Sequence, residues 1–130
     1  MKEIFESEMN PLYSYAARAS STKGVYDGDT LRLDIDLGFS VMHKNIPIRL
    51  WGIDTPEVRG SEEEKARGFA ARDFLRHLLF DSEGEPKHVT VYTIKDSKGK
   101  YGRYLGILVL DGTIVNQLLI ERGHAQLKMY

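Results

Sequence analysis

The sequence predicts an α+β fold, mainly β: a five-stranded OB-type barrel with helical inserts. Three observations predict it. Leu31-Arg32-Leu33-Asp34-Ile35-Asp36-Leu37 alternates strictly between apolar and polar, the period of a half-buried strand. Four more strand-like runs follow or precede it. A helical pattern lies between the third and fourth strands, with another after the last, and that order suits a small barrel better than a sandwich.

Residues 1–12 are polar, carry Asn10-Pro11, and are expected to form a loose arm outside a single domain over 13–130. Tyr13 to Ala19 is the first strand. Ser20 to Gly24 breaks it, and Asp27-Gly28 signals a tight turn. In the second strand, 31–37, the four aliphatic residues are expected to face the core, with Arg32, Asp34 and Asp36 outward. Gly38 ends it, and Phe39 to Asn45 is a connector, with Ser40 to Met42 placed to extend a hairpin. Ile46 to Ile53 is the third strand.

Ser61 and Glu64 form a Ser-x-x-Glu capping box at the start of a helix. Glu62 and Glu63 suit the positive end of its dipole. Ala70, Ala71, Phe74, Leu75 and Leu78 make its apolar stripe, and Gly68 weakens it slightly. His88 to Ile94 and Arg103 to Leu110 are the last two strands, the latter with Leu105, Ile107 and Val109 on one face. Val115 to Arg122 is a short amphipathic helix stopped by Gly123. The tail from Ala125 to Tyr130 has no assignable pattern.

A chain of 130 residues with 42% hydrophobic and 28% charged residues buries a core without staples. It has no cysteine, which excludes disulfides and thiolate zinc sites. Its four histidines, His43, His77, His88 and His124, show no metal-ligand spacing. No run has transmembrane length, and residues 1–8 lack the apolar core of a signal peptide, so the chain reads as cytoplasmic, with a mature secreted form reading the same. A net charge of −1 argues against a broad electrostatic grip on nucleic acid.

Everything is arranged around Arg49-Leu50-Trp51-Gly52-Ile53-Asp54-Thr55-Pro56-Glu57, which begins as a strand and ends as a charged turn. Pro56 pushes Thr55 out of the helical region, so the chain turns at the strand exit. Adjacent strand ends of a small barrel would bring Asp29, Arg49, Asp54, Glu57 and Arg103 to one rim. Two aspartates and a carbonyl make an oxygen-only site suited to calcium or magnesium. Two arginine forks match phosphate oxygens, and a glutamate beside them can take a proton from water. The sum is a phosphodiester hydrolysis site; the bland alternative is a set of separate surface ion pairs.

Four ordered segments resemble the staphylococcal nuclease (thermonuclease-like) family: Asp27-Gly28-Asp29-Thr30-Leu31, the central stretch 49–57, Lys100-Tyr101-Gly102-Arg103, and Val115-Asn116 with Leu119, Gly123 and Ala125. The resemblance spans roughly residues 13–127. It implies an OB barrel with three helices and calcium-dependent hydrolysis of DNA or RNA to 3′-phosphates. It implies calcium ligation by Asp29, Asp54 and the Thr55 carbonyl, and water activation by Glu57. Arg49 and Arg103 match the phosphate-binding arginines, and Lys100 and Tyr101 match positions beside the bound nucleotide. A monomer acting on nucleic acid, without a membrane, is the expected working unit.

Two departures stand out. The span from Thr30 to Arg49 is several residues longer than the family pattern, so 38–45 is expected to form an extra loop over the groove. The family's C-terminal tyrosines do not align, Met129 lying nearer the position than Tyr130. The competing reading is a nucleic-acid-binding or protein-interaction module without useful turnover. An OB-type oligosaccharide or peptide binder would not need two arginines flanking Asp54 and Glu57.

Overall fold

The computed structural model describes residues 1–98 and 102–129. Its elements are α1 (Lys2–Glu6), β1 (Ser14–Ala19), β2 (Thr30–Gly38), β3 (Val41–Leu50), β4 (Ile53–Asp54), α2 (Glu62–Leu79), β5 (Val89–Lys98), β6 (Tyr104–Leu110), β7 (Thr113–Ile114), α3 (Val115–Glu121) and β8 (Gln126–Leu127). The main sheet runs β3-β2-β1-β5-β6-β7. A parallel pairing of β3 with β6, at Ile48↔Tyr104 and Arg49↔Leu105, returns the strand order on itself. Among the described residues, five main strands, three α-helices and this order match the OB-like expectation.

The core fills the inside of this ring. Leu31, Leu33, Ile48, Leu50, Val91, Ile107 and Leu108 are fully buried, and Leu75 and Leu79 of α2 belong to the same cluster. Burial of such side chains contributes about 1.5–3 kcal/mol each, so this cluster dominates the favourable side of folding. Ile107 and Leu108 are both buried, so β6 is covered on both faces there rather than on one.

The expected loose arm is corrected by Phe5. Residues 2–6 form a helix whose Phe5 is buried in the core, edge-on to Trp51 with ring centroids 5.9 Å apart. Gly52, at φ 80°, makes room: a Cβ there would lie 3.0 Å from the Phe5 ring. An apolar residue in a polar run carried no period for the sequence to show.

The expected face of β2 is also corrected. Leu37 is exposed and Asp34 buried. Register shifts between Leu33 and Ile35, and again between Asp36 and Gly38, break the alternation. β1 covers β2 only over Leu33–Ile35. Beyond that, β2 and β3 continue as a two-stranded ribbon, closed by Phe39-Ser40 with both φ values positive, as a primed hairpin turn needs. The expected loop at 38–45 is therefore a β-ribbon. Asp34 anchors its base, accepting hydrogen bonds from Ser20 Oγ at 2.7 Å and the Asn45 N–H at 3.1 Å, with Arg18 Nε 3.6 Å away.

Helix α2 starts as expected, Ser61 Oγ accepting from the Glu64 N–H at 3.2 Å. Its buried stripe is Gly68, Ala71, Leu75 and Leu79, rotated from the predicted one; Ala70 faces solvent. The tail, unreadable in sequence, pairs as β8 with β4 at Ile53↔Leu127 and Asp54↔Gln126.

Candidate active site

Two backbone hydrogen bonds and one buried side chain bring the charged residues together. Leu50 N–H donates to the Asp29 carbonyl at 2.8 Å, joining the end of β3 to the turn before β2. Trp51 N–H donates to the Gly106 carbonyl, also at 2.8 Å. Buried Asn116 of α3 donates to the Trp51 and Gly106 carbonyls and accepts from the Leu108 N–H. The central stretch is thus held at its strand exit from two sides, which is why its side chains are fixed.

Asp29 is buried, and every oxygen has a partner. Oδ2 accepts from the Thr55 N–H at 3.0 Å and Oδ1 from the Thr30 hydroxyl at 3.1 Å. Arg49 lies between the two expected metal-binding aspartates: Nη1 is 2.7 Å from Asp29 Oδ2, and Nη2 is 3.4 Å from Asp54 Oδ1. The closer contact is ionic without hydrogen-bond alignment, so Nη1 is a buried nitrogen with no aligned acceptor. The Thr55 hydroxyl is likewise buried without a partner among the described residues. An orphaned hydroxyl such as that of Thr55 costs about 1–3 kcal/mol, whereas Arg49 Nη1 keeps its ion pair with Asp29.

Arg103 reaches the same cluster from the start of β6, its Nη1 donating to Thr30 Oγ1 at 3.2 Å. Asp54 and Glu57 face solvent, and Glu57 lines a cleft of about 500 Å³ with Tyr26, Asp27, Val58 and Arg59. Contacts therefore link Asp29, Arg49, Asp54 and Thr55, with Arg103 joined through Thr30, while Glu57 lies in the cleft beside Asp27. Lys100 and Tyr101 lie outside the described residues.

Asp27 was read from sequence only as a turn residue. It accepts from the Asp29 N–H at 3.1 Å, and burial together with the Asp29 carboxylate pushes its own carboxyl up to about 7. Two acids flanking one glycine were the available signal. Like charges held this close favour a bound cation, as do oxygen-only donors. Among the described residues no three acidic or histidine side chains converge on one point, since Arg49 stands between Asp29 and Asp54. The donor set fits a hard cation in chemistry: carboxylates, no sulfur, no histidine.

Gly28 and Gly68 explain how the turn and helix fit. A Cβ on Gly28 would lie 2.8 Å from the Ala71 Cβ and 2.9 Å from the Thr55 methyl. One on Gly68 would collide with the Glu57 carbonyl.

The family model described as "Staphylococcal nuclease homologue" matches residues 47–130. The thermonuclease of Staphylococcus intermedius is 32% identical over 109 residues, covering 83% of this chain and 58% of that protein. The thermonuclease of Staphylococcus hyicus is 32% identical over 107 residues, covering 82% of this chain and 57% of that protein. The chain thus spans less than two thirds of the length of these relatives. With a matched model running from β3 to the end of the chain, and an OB-like fold built around the matched stretch, the chain belongs to the staphylococcal nuclease homologue family.

Proposed function

We propose that this chain is a calcium-dependent nuclease that hydrolyses phosphodiester bonds of DNA or RNA and leaves 3′-phosphates. The observation that carries the reading is the largely buried Arg49 fork held against Asp29 and Asp54, with Arg103 tied through Thr30 to the same cluster. The relatives' name, thermonuclease, supports the same reaction class. All the invoked side chains come from one chain, so a monomer is a sufficient working unit.

Arg49 and Arg103 bind the non-bridging phosphate oxygens and stabilise the charge that grows on them as water attacks. Glu57, exposed at the cleft, accepts the proton of that water at a carboxylate oxygen. The oxygen–phosphorus bond to water forms as the bond to the 5′ oxygen breaks, which leaves the phosphate on the 3′ side. Asp29, Asp54 and the Thr55 carbonyl would hold the calcium ion, which supplies a hard positive charge beside the phosphate. Asp29 also orients Arg49 and the Thr55 peptide.

The second reading, binding without turnover, is favoured by one observation: Arg49 already neutralises both aspartates. A digest of single- and double-stranded DNA and of RNA, with calcium, magnesium or chelator, separates the two. Cleavage that needs calcium, yields 3′-phosphate ends and is lost in Asp54→Asn is expected. Binding with no cleavage under any condition would replace the nuclease by the binding module.

A further inference from the structure

The cleft of about 500 Å³ that Glu57 lines also holds Tyr26, Val58 and Arg59, to which the proposed hydrolysis gives no task. Contacts, not chain order, tie this cleft to the reacting cluster. Asp27 lines it and accepts from the Asp29 N–H at 3.1 Å, and Asp29 Oδ2 lies 2.7 Å from Arg49 Nη1. Tyr26 is 51% exposed, yet it is held at both ends. Its N–H donates to the Thr30 carbonyl at 3.0 Å, and its hydroxyl accepts from Arg32 Nε at 3.4 Å. Among the described residues lining the cleft, Arg59 alone is cationic. It is exposed, and no carboxylate pairs with it, although Asp27 and Glu57 share the cleft.

The reaction geometry says which part of a strand comes here. Attack in line with the breaking bond puts water and the leaving 5′ oxygen on opposite sides of phosphorus. Glu57 takes the proton of that water, so its cleft lies on the water's side and the departing nucleoside on the other. The neighbour left for the cleft is the nucleotide that keeps the 3′-phosphate. A fixed, exposed ring stacks on any base, because every base has a π face. An unpaired guanidinium takes the next phosphate upstream through paired hydrogen bonds. The carboxylates of Asp27 and Glu57 repel that phosphate, and the charge of Arg59 offsets them.

We infer that Tyr26 and Arg59 form the subsite for the retained nucleotide, Tyr26 against its base and Arg59 on its 5′-phosphate. The inference rests on the nuclease reading, because Glu57 as the base fixes which side of the phosphate the cleft faces.

The probe is an oligothymidylate whose first linkage alone is a cleavable phosphodiester, the others being neutral methylphosphonates. The first nucleotide, which is the retained one, carries or lacks a 5′-phosphate and carries or lacks its base. In the wild type each group should raise kcat/KM roughly tenfold. Arg59→Ala should erase the gain from the 5′-phosphate and keep the gain from the base. Tyr26→Ala should do the reverse, and Tyr26→Phe should keep both. Arg67→Ala removes an exposed cation of α2 outside the cleft, so it should keep both gains and controls for lost charge. Gains that survive in both cleft variants, with cleavage intact, would overturn the subsite and leave the nuclease reading standing. An equal loss on all four forms of the probe would also overturn it, since that marks a disturbed Glu57 and not a lost contact with the nucleotide. No cleavage of the probe or of DNA by the wild type would overturn the nuclease reading, and the subsite with it.

Discussion

Gly68 of α2 packs against the backbone of Glu57, so closely that a Cβ would occupy the space of the Glu57 carbonyl oxygen. In a solvent-facing helix a glycine costs about 1 kcal/mol relative to alanine. Here the missing side chain sets how near the helix comes to the turn carrying the proposed base. Gly68→Ala should therefore destabilise the protein by about 1–3 kcal/mol in spite of its better helix propensity. It should also lower kcat, because the Glu57 backbone has to move. Thermal unfolding and steady-state kinetics on the same sample check both, and an alanine variant more stable than the parent would contradict the packing argument.

Glu57 and Arg103 should respond differently from Gly68. Glu57 is exposed, and Glu57→Gln should lower turnover on the order of 100-fold or more with little change in unfolding midpoint. Arg103→Ala should lower turnover by a similar factor, as loss of one transition-state contact does. Unchanged turnover in Glu57→Gln would remove it from the mechanism. Asp29→Asn should weaken calcium binding, read by calorimetry with a nucleoside 3′,5′-bisphosphate present.

Asp34 makes stability depend on acid pH. Burial raises its carboxyl, but the Ser20 hydroxyl, the Asn45 N–H and the Arg18 charge outweigh that and hold it below the ordinary value of 3.8. A group whose folded pKa is depressed stabilises the fold above its unfolded pKa, and that contribution is lost as pH falls through the folded value. Asp34→Asn should cost about 1.5–3 kcal/mol at neutral pH, the worth of hydrogen bonds to a charged group. The difference between variant and parent should shrink below pH 3.8. Urea titrations at neutral and acid pH measure it; a gap that stayed constant would assign the cost to packing instead.

Phe5 makes α1 part of the core. Phe5→Ala should cost about 3–5 kcal/mol, the usual range for a buried aromatic truncated to alanine. Trp51, which packs against it, reports the change through its fluorescence. A loss within about 0.5 kcal/mol, the scale of a surface change, would return residues 1–12 to a loose arm.

Much of the fold and the candidate site was legible because local chemistry and tertiary placement agree there. The alternation of Leu31, Leu33 and Ile35, the Ser61 cap and the turn at Asp54-Thr55-Pro56 each carry their own signal. The grouping of Asp29, Arg49, Asp54 and Arg103 followed from putting strand ends on one rim, and in the folded chain ion pairs and the Thr30 hydroxyl link those residues.

What sequence alone determined were periodicity, punctuation and residue type, since those depend on neighbours a few positions apart. Tertiary structure decided the rest. Only the bulges and the short reach of β1 turned Leu37 out and Asp34 in. Only the approach of α2 to the turns gave Gly28 and Gly68 their purpose, and only the placing of a half-buried carboxyl beside the buried Asp29 distinguished Asp27 from a turn residue. Phe5 meeting Gly52, the tail pairing at Asp54 and Arg49 standing between two aspartates are contacts between distant segments. Such contacts have no local period, so their energies come from packing and desolvation that exist only once the chain has closed on itself.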